Sequence, residues 1–253
     1  MLKDEKIGWI GLGKMGRPMA ARLAERGFQI HAYDIRPEAA AGLPQLGITW
    51  MDSVGKIAEG CTTIIIMVFN GEQVRHLVLG PGGLLAKVRP GTRVVDMTSC
   101  DPMAAKDLAG PFTAKGVQYM DAPVSGGVEG AVKGTLTFMV GGDEKLIEKM
   151  QEIFQHLGKK TIVMGALGSG YAMKVMNNFL SATTMAATAE VVAVARKAGL
   201  SAERVVEVLA SSTGTSDAST RKFPNYVFPD KEVGFNVELM HKDIKNYIRF
   251  AEN

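Results

Sequence analysis

The chain has 253 residues, 46% hydrophobic and 22% charged, which suits one large or two modest globular domains and excludes a disulfide-stapled miniprotein or a disordered chain. Lysine and arginine exceed aspartate and glutamate by only 29 − 26 = 3 and are scattered, so no phosphate-tracking stripe points to a nucleic-acid partner. Two cysteines, Cys61 and Cys100, and four histidines without ligand spacing provide neither a disulfide framework nor a metal site, and fit a reducing, cytoplasmic setting.

The amino terminus, Met1 to Lys6, is charged and meets an apolar run too short for a signal peptide. From Lys6 to about Met164, short β-rich runs alternate with amphipathic segments. Strands are expected at Ile7–Ile10, Gln29–Tyr33, Thr62–Phe69, Arg93–Met97, Gln118–Met120, Thr135–Val140 and Lys160–Val163, with helical patterns between most of them. Such alternation requires crossover connections, hence an α/β domain with a doubly wound, largely parallel sheet covered on both faces. After Gly165 the texture changes. Ser169 to Ala198 sets Ala, Met, Val and Leu at helical spacing, with Gly199 as its C′ residue, and Ser201 caps a second helix through about Ala210. A Ser/Thr/Gly-rich turn and a helix from near Asn236 follow. The expected division is therefore residues 1–165, the α/β domain, and residues 166–253, an all-helical domain connected through the long helix. Met173, Met176 and Met185 read as core packing. The run Ile64–Phe69 is far below a membrane span, and Phe179–Ala195 is broken by Ser, Thr and Glu190, so no membrane partner is expected.

The first strand leads into Gly11-Leu12-Gly13-Lys14-Met15-Gly16, then Pro18 and the helix-forming Met19 to Glu25. In this strand–turn–helix setting Gly11 permits the tight turn, Gly13 lets backbone approach a pyrophosphate, and Gly16 lets helix and strand pack closely. That is the Rossmann-type pattern for a dinucleotide. Asp34 closes the second strand 18 residues after Gly16, where its carboxylate can accept ribose hydroxyls and repel a 2′-phosphate. NAD is therefore expected in preference to NADP, although Arg36 could pair with such a phosphate. The strand ends at Met67-Val68 and at Thr98 should open onto the same crevice.

Two further constellations stand out. In Asp121-Ala122-Pro123-Val124-Ser125-Gly126-Gly127, the Ser125 hydroxyl beside Gly126 and Gly127 offers converging donors for a small carboxylate, with a purely structural turn as the alternative. At the start of the long helix, Lys174 and Asn178 are i,i+4 neighbours on one face. Apolar surroundings there would favour a neutral lysine able to move a proton near neutral pH; a snorkelling surface lysine is the alternative.

Taken together and in order, the glycine turn at 11–16, the run 121–127, the Gly168/Gly170/Lys174/Asn178 set and Lys242-Asp243-Ile244 resemble the β-hydroxyacid dehydrogenase family over almost the whole chain. Within it the chain looks most like 3-hydroxyisobutyrate dehydrogenases and tartronate semialdehyde reductases. The resemblance implies hydride transfer between the nicotinamide and the carbinol carbon of a short 3-hydroxy acid. Lys174 would act as general acid/base, Asn178 would align it with the substrate oxygen, and Ser125, Gly126 and Gly127 would grip the carboxylate. Lys242 would close over nicotinamide and substrate, Phe235 would pack there, and Asp243 would orient Lys242. No metal is required, and a homo-oligomer, dimer or tetramer, is implied by the family's habit of packing helical domains between subunits. Two departures are visible: many relatives carry proline near Val68-Phe69, and NADP-type relatives carry Asn-Arg where this chain has Asp34-Ile35.

Related activities include L-serine and 3-hydroxypropanoate dehydrogenases. An imine reductase would usually lack Lys174, and a non-catalytic dinucleotide-binding scaffold would not need Ser125, Lys174 and Asn178 together. The chain ends 253 − 242 = 11 residues after Lys242, whereas relatives usually continue through further helix. The expectation is an unfinished second domain with apolar surface near Ile248 and Phe250 left to be covered.

Overall fold

The computed structural model describes residues 2–231 and 237–252. Five parallel pairings join its first six strands. Strands β1 (Lys6–Ile10), β2 (Gln29–Tyr33), β3 (Thr49–Trp50), β4 (Thr63–Ile66), β5 (Arg93–Asp96) and β6 (Gln118–Asp121) lie in the order 3-2-1-4-5-6. Beyond β6, strand β8 (Leu136–Gly141) runs antiparallel to β6 and to the short β7 (Val124–Ser125), and β9 (Gly158–Gly165) pairs with β8 in parallel. The order reverses between β1 and β4, which is where a doubly wound sheet opens a crevice at its carboxyl edge.

Strands β4 and β5 are buried along their whole length, as a sheet covered on both faces requires. Alternation then sorts their side chains. Ile7, Trp9, Ile65 and Val95 enter one core with Met19 and Leu23 of α1 (Gly16–Glu25) and Ile147, Met150 and Phe154 of the later α7 (Glu144–Leu157). Ile10, Ile64, Ile66 and Val94 enter the other. There they meet α2 (Val54–Gly60), α3 (Gly71–Leu79), α4 (Leu84–Lys87) and α5 (Pro102–Ala114) through Ile57, Val74, Leu84 and Leu108. The helix α6 (Gly127–Lys133) starts directly after β7.

The long helix α8 is Ser169–Lys197 and ends as expected, with Gly199 at φ 80° and the Leu200 amide bonded to the Ala195 carbonyl. Helix α9 (Ala202–Ser211) starts at Ser201, whose Oγ accepts from the Arg204 amide at 3.4 Å. A π-helical segment, Ala218–Val227, follows the Ser/Thr/Gly-rich turn where no element was expected, and α10 is Val237–Glu252. The helix start expected near Asn236 falls outside the described residues. By length and composition alone α8 is long and apolar enough to cross a membrane, whereas from the sequence Phe179–Ala195 is set aside because Ser, Thr and Glu190 interrupt it.

The chain divides into two compact units, the first running to Lys174 and the second Val175–Ala251. The second has its own small core of Val192, Ala202, Val206, Ala218 and Phe223, against which Met185 packs. Met176 departs from the core role expected of it, with 40% of its surface exposed. Ile248 is exposed and Phe250 half-buried.

Candidate active site

In the first unit the glycine turn is built from below. The Trp9 indole, fully buried, donates to the Gly11 carbonyl at 3.0 Å, and the Gly11 amide donates to the Tyr33 carbonyl at 2.9 Å. Gly11 has φ 99°, and a Cβ there would strike the Met67 carbonyl. A Cβ on Gly16 would strike the Gly11 carbonyl, so helix and strand approach closely because this position is bare. Around Gly13, in contrast, a Cβ would meet nothing within 4 Å. The turn is therefore open on the side where an anion would approach backbone. Met15, the N-cap of α1, makes no side-chain cap; the Arg17 amide donates to the Gly13 carbonyl at 3.1 Å and Pro18 has no N–H, so the helix's positive end and the Gly13 backbone are what the turn offers an anion. Leu12 is buried and Lys14 exposed at the rim.

Asp34 sits at the end of β2, beside this turn. Its Oδ2 accepts from the Leu12 amide at 2.7 Å, and Oδ1 accepts from the Arg36 amide and Nε, both at 3.0 Å. Burial alone would push this carboxyl up, but the Arg36 hydrogen bonds, the Leu12 amide and the Arg36 charge together hold it below the usual range. It is therefore a fixed anion. Arg36, expected as a possible phosphate partner, is engaged by Asp34 instead. Met67 and Val68 follow β4, which ends at Ile66 rather than reaching Phe69. The Val68 amide donates to Thr98 Oγ1 at 3.2 Å, so the chain leaves the sheet here. Thr98 is fully buried and shapes this loop from beneath.

Ser125 lies on β7, paired with Thr137 of β8, and is half-buried. Gly126 and Gly127 have φ 136° and 64°, conformations that side chains rarely adopt, and turn the chain from β7 into α6. A Cβ on Gly127 would meet nothing within 4 Å, so its backbone faces open space next to the Ser125 hydroxyl. This is the arrangement a small carboxylate needs. Lys174, on α8, is buried with 8% of its surface exposed, which sets aside the snorkelling alternative.

In the second unit, Asn178 Nδ2 donates to Asp243 Oδ2 at 2.6 Å, and Lys242 Nζ is 3.2 Å from Asp243 Oδ1. Asp243 is buried and joins both residues, whereas sequence reasoning had assigned it only to Lys242. Asn177 Nδ2 donates to Asn178 Oδ1 at 3.2 Å, fixing which way the Asn178 side-chain amide points. Phe235 lies outside the described residues. Among the described residues no group of three or more His, Cys, Asp or Glu side chains could hold a metal ion.

Strand order, open glycine turn and fixed Asp34 define a dinucleotide-binding fold. The family profile for the NAD-binding domain of 6-phosphogluconate dehydrogenase matches residues 6–168, and that for the NAD-binding region of NADP-dependent 3-hydroxyisobutyrate dehydrogenase matches residues 168–253. The chain is 38% identical to 2-(hydroxymethyl)glutarate dehydrogenase of Eubacterium barkeri over 96% of its length and 81% of the relative's. It is 37% identical to 3-hydroxyisobutyrate dehydrogenase of Pseudomonas aeruginosa, covering 94% of this chain and 82% of that one. Among solved structures, Mycobacterium tuberculosis 3-hydroxyisobutyrate dehydrogenase with L-serine aligns at a TM-score of 0.89 and 33% identity, over 98% of this chain and 87% of that one. The chain belongs to the β-hydroxyacid dehydrogenase family.

Proposed function

We propose that the protein is an NAD-dependent oxidoreductase acting on the CH–OH group of a short 3-hydroxy acid of the 3-hydroxyisobutyrate kind. The observation that carries this reading is the buried Lys174, placed in the same unit as the open glycine turn and the Ser125-Gly126-Gly127 turn. The named relatives, which include 3-hydroxyisobutyrate and L-serine dehydrogenases, support the substrate class. The residues present fit a dinucleotide, given the open Gly13 and the uncapped α1. When bound, its nicotinamide supplies or accepts the hydride.

The chain's own tasks follow from its side chains. Backbone at 11–16, at the positive end of α1, holds the pyrophosphate, and Asp34 takes the ribose hydroxyls. Asp34 also holds Arg36, which favours NAD over NADP. Met67, Val68, Lys242 and Phe235 complete the assigned nicotinamide side; Thr98, also assigned there from the sequence, is fully buried and acts on it only through the Val68 amide, whose hydrogen bond it accepts. Ser125, Gly126 and Gly127 bind the substrate carboxylate, and Lys242 covers it. Lys174 Nζ takes the hydroxyl proton during oxidation and returns it during reduction. Asn178, oriented by Asp243, aligns the substrate oxygen. Fixing the carboxylate leaves the carbinol carbon few places to lie, an ordering that can contribute up to about 7–11 kcal/mol. Nucleotide and carboxylate binding are assigned to residues 1–165, and the closing contacts to 166–253.

A second copy of the chain is the proposed partner, on the strength of Leu180 and Val194, 63% and 62% exposed on α8. The buried free cysteines Cys61 and Cys100 support a cytoplasmic location, with α8 as a connecting helix. The test is kcat/KM for 3-hydroxyisobutyrate, L-serine and 3-hydroxypropanoate, and for tartronate semialdehyde in reduction, with NAD and NADP. Lys174→Ala should lower kcat about 10²- to 10⁴-fold while the Kd for NAD stays within twofold. Turnover at the parent's rate would remove Lys174 from the chemistry.

A further inference from the structure

Helix α8 begins without a cap of its own. Gly168, the residue before its first turn, has no side chain to bond the free amides that every helix start leaves. A carboxylate from a distant strand takes that place. Asp121, the last residue of β6, accepts from the Gly168 amide through Oδ1 and from the Tyr171 amide through Oδ2, each at 2.7 Å. In a capping box two side chains of the helix itself satisfy the N-cap and third-residue amides reciprocally. Here one side chain, 47 and 50 residues away along the chain, does both.

The surroundings are shaped for that carboxylate. A Cβ on Gly141 would lie 2.6 Å from Asp121 Oδ1, and one on Gly170 would lie 2.6 Å from Oδ2. Asp121 is fully buried, so neither substrate nor cofactor reaches it. The titratable groups around it are Asp96, its register partner on β5, together with Tyr119, Tyr171 and Cys100, all buried; the two tyrosine hydroxyls are 3.1 Å apart.

Lys174 follows Tyr171 by three residues, about 4.5 Å along the helix axis. Whatever holds the Gly168 and Tyr171 amides therefore sets the height and rotation of the turn that carries Lys174. The same carboxylate opposes the positive end of the helix dipole, close to which Lys174 sits. We infer that Asp121 is the positioning residue for Lys174, clamping the start of α8 to the sheet so that the amine reaches the reacting oxygen. The inference rests on Lys174 being the proton-transfer group.

The experiment compares Asp121→Asn, Gly141→Ala and Lys174→Ala with the parent, using 3-hydroxyisobutyrate and NAD. Asp121→Asn keeps the shape but removes the charge and one of the two acceptors, because its NH2 cannot accept from a backbone amide. It should lower kcat about 10- to 100-fold, with KM and the Kd for NAD within about twofold. Its oxidation pH–rate limb should move to lower pH by about half a unit, because the helix dipole then acts on Lys174 unopposed. Gly141→Ala displaces the carboxylate but keeps its charge, and should lower kcat with the limb unmoved. An Asp121→Asn enzyme with the parent's kcat, or with a lowered kcat and an unmoved limb, overturns the inference while Lys174→Ala still abolishes turnover. Full activity in Lys174→Ala defeats the functional reading itself. In the unaltered protein the Gly168 and Tyr171 amide protons should exchange slowly with solvent; exchange at the rate of unprotected amides overturns the clamp without any variant.

Discussion

The two units solve the problem of stability differently. In the first, parallel strands are buried on both faces and feed two large cores, so the glycine turn, Asp34 and Ser125 stand on a frame that is complete in itself. In the second, the buried cluster among the described residues is Val192, Ala202, Val206, Ala218 and Phe223, while α8 leaves Leu180, Val191 and Val194 exposed on one face. The difference teaches that the sheet frame supplies binding geometry from two large cores, whereas the helical unit combines a smaller core with an exposed apolar face.

Core truncation should break this comparison most visibly. Trp9→Ala, at a fully buried site between sheet and α1, is expected to cost about 3–5 kcal/mol in denaturant titration. Phe223→Ala should cost about 2–3 kcal/mol, because a small helical cluster can relax into the space. Equal costs would erase the contrast.

A smaller effect concerns buried acids. Burial pushes Asp96 up to about 6 and Asp121 up to about 6, from the usual carboxylate value of 3.8. Both bind protons more tightly folded than unfolded. Their contribution to stability is therefore greatest below the unfolded value, falls as pH rises from about 4 to 6, and is level above that. Asp96 Oδ2 is buried without a hydrogen-bond partner among the described residues. Asp96→Asn should therefore stabilise the fold above pH 6 by about 1–3 kcal/mol and flatten part of that slope. Thermal melts at pH 4 and 7.5 check it, and a variant less stable at both values would show that the charge is needed. The smallest change in the protomer is expected from Leu180→Ser with Val194→Ser, within about 0.5 kcal/mol for each exposed site. Sedimentation should nevertheless show loss of a dimer or tetramer; an unchanged mass would acquit this face.

Much of the frame was legible in the sequence because it is periodic. The run Gln29–Tyr33 matches β2 residue for residue, and Ser201 and Gly199 mark helix ends through chemistry that is local. The two-residue strands Thr49–Trp50 and Val124–Ser125 are too short to show a period, and β4 ends early because Thr98, thirty residues on, takes the Val68 amide. Residues 218–227 carry no helical reading in the sequence, because Pro224 argues against an α-helix and π geometry has no pattern of its own. At the site, the glycines could be read from their setting. Asp121 could not: its run suggested a carboxylate cradle, and only the fold shows that its partners are the amides opening α8.

The support beneath the glycine turn also has an optical consequence. The chain has two tryptophans. Trp9 bonds the Gly11 carbonyl, and Trp50 stacks at 6.1 Å on Tyr33, whose carbonyl receives the Gly11 amide. Both indoles thus report on the same few atoms, so the protein's native ultraviolet emission is a label-free gauge of whether that turn is occupied.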